Sequence, residues 1–117
     1  MRHLLLAIIV SVSVDSTTLF IGDQTDMHLQ VTHDKQEVVQ MPVYGETLMP
    51  GIEIVDRTIV DTTYLANDQV QLNQYLTLTS FADSLFYISP IPFVSGNDTI
   101  FSEGISLNVV QPFEMDS

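Results

Sequence analysis

The chain has 117 residues, enough for one domain with its own core and too few for two. Fifteen acidic residues against three basic ones leave a net charge of -12, which repels phosphate backbones and anionic lipid and so argues against nucleic-acid or peripheral membrane binding. The absence of cysteine excludes a disulfide, a thiolate nucleophile and a cysteine metal site, while 45% hydrophobic content rich in Val, Ile, Thr, Tyr and Phe favours strands over helices.

Residues 1–7 have the charged start and apolar stretch of an export segment, too short to cross a membrane as a helix, and are a candidate remnant of one. From residue 8 the pattern changes: Ile8, Val10, Val12 and Val14 alternate with polar Ser11, Ser13 and Asp15, which predicts a half-buried strand over 8–14. Residues 17–21 form a short apolar run ended by Gly22 and Asp23, the second piece of a kinked edge strand. Met27, Leu29 and Val31 then alternate with polar neighbours, as in a strand with one wet face.

Past a polar connection over 33–37, Val38 to Val43 contains Pro42, which rules out a central strand and leaves an edge or a loop crossing. Residues 45–51 read as a turn, Ile52–Val55 as a short strand continuing unevenly to Val60, and 66–68 as a tight turn. Val70, Leu72, Leu76 and Leu78 share one face of what reads as the longest strand, interrupted by Gln74, with Tyr75 and Phe81 on the opposite parity. Leu85 to Ile88 is apolar throughout, as in a central strand, and Pro90 and Pro92 end its pairing. A turn over 95–98 and Gly104 set off the last two strands. The sum is an all-β, immunoglobulin-like antiparallel sandwich of about seven to eight strands over 8–111, with 112–117 as a polar linker.

Asp83 to Tyr87 has the spacing of the tyrosine corner of such sandwiches; the alternative is that Tyr87 is simply a core or interface aromatic. Residues 14–31, opening on Val14-Asp15 and turning at Gly22-Asp23, together with 85–93, carrying Tyr87, Ile88, Pro90 and Pro92 and leading to Ile105–Val109, resemble the start and end of an immunoglobulin-like domain of the BatD-like (oxygen tolerance, or aerotolerance) family. Ser89-Pro90 stands where that family usually has two prolines, and 34–68 carries no signature of it. The resemblance implies a periplasmic, cell-envelope protein anchored by a membrane helix outside this chain, acting in assembly or stress tolerance without catalysis. It also implies partners among envelope proteins, including von Willebrand-type domain proteins, and makes 112–117 the link to a further part.

Asp15-Ser16, Asp61-Thr62, Asp83-Ser84 and Asp98-Thr99 fit an acceptor triplet of periplasmic O-glycosylation, at Ser16, Thr62, Ser84 and Thr99, although Asp before Ser or Thr is also ordinary turn chemistry. No pair of histidines has metal-ligand spacing, no Gly-x-Ser-x-Gly elbow is present, and the loop acids Asp23, Asp26, Asp56, Asp61 and Asp68 lack a calcium-loop pattern, so no metal, cofactor or catalytic set is assigned. Two readings stay open. One is a protein-interaction module presenting Tyr75, Phe81 and Phe93; the other is a carbohydrate-binding module using Tyr44, Tyr64, Tyr75 or Tyr87 as platforms.

Overall fold

The computed structural model describes residues 7–112. It is all-β, with antiparallel sheets packed together, consistent with an immunoglobulin-like sandwich. The largest sheet is built on two eleven-residue strands, β3 (Gln24–Asp34) and β8 (Gln69–Thr79), paired antiparallel along their whole length. β1 (Ile9–Val14), the strand expected over 8–14, flanks β3. On the far side of β8 lie first β6 (Ile52–Arg57) and then β7 (Asp61–Tyr64), and β5 (Thr47–Met49) adds to β6. The 45–51 stretch is therefore more than a turn: it contains β5, and Pro50 and Gly51 make the reversal into β6.

Two three-stranded sheets complete the fold. In one, β12 (Ile105–Val110) lies between β2 (Thr18–Phe20) and β9 (Ser84–Ile88); in the other, β10 (Pro92–Ser95) lies between β11 (Asp98–Phe101) and β4 (Val39–Gln40). The kinked edge strand at the start belongs to two sheets. β1 pairs β3, and after a bend held by Ser16 N–H donating to Thr25 Oγ1 at 3.0 Å, β2 pairs β12 in parallel. Pro42 has the effect expected of it, since β4 ends at Gln40 on a sheet edge.

The core follows from strand parity. Along β3 every second residue is buried, and Met27, Leu29 and Val31 meet Leu76 and Leu78 from β8, Ile52 from β6, Phe93 from β10, and Leu107 and Val109 from β12 in one cluster. Polar groups drawn inside are satisfied: Thr79 Oγ1 donates to Asp23 O at 2.7 Å, and Ser102 Oγ accepts from Ile91 N–H at 2.9 Å. The turn between β7 and β8 puts Asn67 and Asp68 at φ 61° and 60°, a region that these two residue types tolerate better than most.

Three expectations are corrected. Among the described residues there are twelve strand segments where about seven to eight were expected, because bends, prolines and a bulge cut the margins into short pieces. β9 is an edge strand rather than a central one: its alternation is hidden because the outward positions, Leu85 and Tyr87, are themselves apolar or aromatic, and they are 69% and 57% exposed. Tyr87 makes no corner. Its hydroxyl forms no hydrogen bond among the described residues, and its ring lies across Gly104, where any side chain would collide with it.

Candidate functional site

Two surfaces of the six-stranded sheet present chemistry. On its outer face, register sets His28 opposite Tyr75 and Gln30 opposite Asn73. The two rings stack with centroids 4.4 Å apart and planes 8° from parallel. Asn73 is the hub: its Oδ1 accepts from His28 Nε2 at 2.7 Å and from Gln30 Nε2 at 2.9 Å, and its Nδ2 donates to Gln71 Oε1 at 3.2 Å. In this arrangement Nε2 carries the imidazole proton. Thr77 Oγ1 extends the ladder by donating to Asp26 Oδ1 at 2.7 Å. His28 is thus a half-buried member of a cross-strand network, although it stands on the polar face of its strand.

The second surface lies where the chain departs from β8. Between β6 and β7, Thr58 replaces a regular rung with a side-chain one: its N–H donates to Tyr75 O and its Oγ1 accepts from Tyr75 N–H, both at 3.0 Å. The carbonyl of Thr58 accepts from Gln74 Nε2 at 2.8 Å, which is how an amide is accommodated on the otherwise apolar inner face of β8. Next to this bulge, Arg57 donates through Nη1 to Tyr44 O at 2.7 Å and through Nη2 to Gly45 O, pinning the 41–45 segment to β6. A groove of about 510 Å³ remains between that segment and the inner face of β8, with Met41, Tyr44, Leu72 and Leu76 in its lining and Val43 and Val60 at its rim. Burial in this lining raises the Tyr44 hydroxyl pKa above the ordinary 10.0.

Past the bulge the sheet is unfinished. β5 pairs β6 only, so the side of β7 that faces away from β8 has no partner among the described residues. All four β7 residues are exposed, and Ile59 and Tyr64 are 86% and 79% exposed.

The sequence-predicted residues do not gather at one place. Tyr75 is 43% exposed in the outer-face stack; Phe81 is 65% exposed in the bend after β8, beside Gly22 and about 20 Å further along the chain at strand rise. Phe93 is fully buried and can form no part of an interaction face, because its position on β10 points into the sandwich. Ser16, Thr62, Ser84 and Thr99 are all exposed. Ser16 Oγ donates to Thr18 O at 2.8 Å in a local turn, while the other three sit in β7, β9 and β11. Of the five acids expected in loops, Asp26, Asp56 and Asp61 lie in β3, β6 and β7, and the five are dispersed: Asp26 is taken by Thr77, Asp68 by Lys35 at 3.4 Å, and Asp56 Oδ1 accepts from the Arg57 amide at 2.9 Å. No group of three metal-ligating side chains occurs among the described residues.

Sequence reasoning missed Arg57, Val43, Val60 and Tyr64 as makers of one surface. The available signal was the uneven strand 52–60 beside Pro42, where patterning fails on two segments that prove to be neighbours. Compared with known proteins, the chain matches no family model, no curated protein and no solved structure.

Proposed function

We propose that the chain is a non-catalytic, immunoglobulin-like interaction module of a bacterial envelope protein, BatD-like, which makes protein–protein contacts in the periplasm. The observation that carries the reading is the concentration of exposed apolar side chains, Val43, Val60 and Tyr64, on the inner face of an unfinished sheet margin. Exposed apolar groups gathered in this way are the usual mark of a surface that is covered in use. The envelope assignment rests on the two segments that resemble the BatD-like domain. Residues 14–31 supply β2 and most of β3, and residues 85–93 and 105–109 supply most of β9, the start of β10 and most of β12; β2, β9 and β12 pair in one sheet, while β3 and β10 lie in the other two.

The test is binding of the purified chain to recombinant von Willebrand-type domain proteins, followed by calorimetry. A stoichiometric complex weakened at least about tenfold by Tyr64→Ser supports the module; no complex with any of them, in either orientation of the assay, counts against it. A second reading, a carbohydrate-binding module, draws on the outer face. There Tyr75, backed on one ring face by His28, stands among Gln30, Asn73 and Asp61, an aromatic platform beside polar groups. Micromolar binding on a glycan array, lost in Tyr75→Ala, would favour it over protein contacts.

A further inference from the structure

We propose that the free edge of β7, with the apolar groove beside it, is a strand-addition site for an extended, basic segment of a protein partner carrying apolar side chains at alternate positions. The proposal rests on the interaction-module reading and specifies its mode.

Backbone geometry supplies the first argument. Leu65 N–H donates to Gln69 O at 2.8 Å, which fixes that rung of the β7–β8 ladder as hydrogen-bonded. Bonded and non-bonded rungs alternate in an antiparallel pair, so Asp61 and Thr63 turn their backbone groups toward β8 and Thr62 and Tyr64 turn theirs outward. Those outward N–H and C=O groups form the template that an incoming strand pairs with. The incoming strand would lie on the side of the sheet that β5 occupies next to β6.

Side-chain placement supplies the second. Thr62 and Tyr64 stand opposite Leu72 and Val70, so they share the inner face of the sheet with the groove lining. A strand laid along β7 alternates in the same way. Every second side chain comes down on that face beside Tyr64, Val60 and Val43, where apolar groups gain burial, while the others emerge on the outer face next to Asp61 and Thr63.

Charge selects the occupant. A second copy of the chain would bring another -12 to the edge, whereas Lys or Arg at the outward positions would meet Asp61 and the field of the whole domain. Arg57 ties the 44–45 backbone to β6, and the segment preceding β5 does not pair β7, whose one partner among the described residues is β8.

The experiment uses the full chain and, as probe, an end-capped peptide of about eight residues alternating lysine and valine, the length of an ordinary strand. In NMR titration, binding is expected to protect the Thr62 and Tyr64 amides from exchange by about tenfold or more at saturation, with the Asp61 and Thr63 amides unchanged. The glutamate-for-lysine peptide should bind at least about tenfold more weakly at low salt. Thr62→Pro removes an outward donor and should abolish binding; Tyr64→Lys, which leaves the β8 ladder intact, keeps the test open if the proline variant does not fold. No binding up to about 1 mM, or protection centred on β1, β4, β9 or β11, overturns the site. A dimer of the chain alone, dissolved by Thr62→Pro, overturns the basic occupant in favour of a second copy. A von Willebrand-type complex that survives Thr62→Pro would sink the edge mode and leave the interaction module standing.

Discussion

Along β3 and β8, eleven residues meet rung for rung, with an apolar layer beneath and a continuous polar ladder above. On the other side of the same β8, residues 52–64 keep company with it only by way of a bulge, a side-chain rung at Thr58 and a strand whose outer edge is bare. The first region is satisfied on both faces and leaves little for a partner to gain. The second has its backbone and apolar requirements only half met, which is the condition for binding something else. On the interaction-module reading proposed above, stability and recognition are assigned to opposite flanks of one strand.

Mutation can break that division or sharpen it. The largest effect should come from the paired spine: Leu78→Ala, at a fully buried position, is expected to cost about 3 kcal/mol, read as a lower urea midpoint with unchanged slope. Gly51→Ala tests whether the margin is tolerant throughout. At φ 93° and with the Phe86 ring 2.5 Å from the added carbon, it should cost about 2 kcal/mol by the same measurement; a neutral result would make the margin soft even at its hairpin joint. On the outer face, Asn73→Ala removes the hub of the ladder and should cost about 1 kcal/mol, with the His28 ring resonances shifting in NMR. Tyr64→Ser, at the free edge, should change stability by less than about 0.5 kcal/mol while weakening partner binding.

The smallest effect concerns Tyr44. Its folded pKa is raised by burial, so its contribution to stability is complete below pH 10.0 and is lost as pH rises through the folded value. Tyr44→Phe should flatten that alkaline decline in thermal-melt measurements. An unchanged decline would place its cause elsewhere.

What the sequence disclosed divides along the same line. The alternation in 8–14, 27–31 and 70–78 is a direct image of strands with one buried face, and those strands are present with the expected parity. Gln74 looked like a flaw in the apolar face because its partner, the carbonyl of Thr58, is set by a bulge that no local pattern announces. Phe93 and Tyr75 are both aromatic residues in strands, and only knowing which face each β-segment turns inward separates a core ring from a surface one. The groove was illegible for a related reason. Its two walls come from 39–44 and from 57–76, and nothing local to either predicts that Arg57 will pin one against the other.

The parallel pairing of β2 with β12 has a mechanical consequence. β2 lies near the beginning of the described chain and β12 near its end, and they run side by side in the same direction through Thr18–Asn108, Leu19–Val109 and Phe20–Val110. Tension applied through the segments flanking this domain would pull the two strands along their lengths in opposite senses. All three rungs would then be loaded together in shear instead of being peeled one after another, so a short, inconspicuous strand resists such a pull with all of its rungs at once.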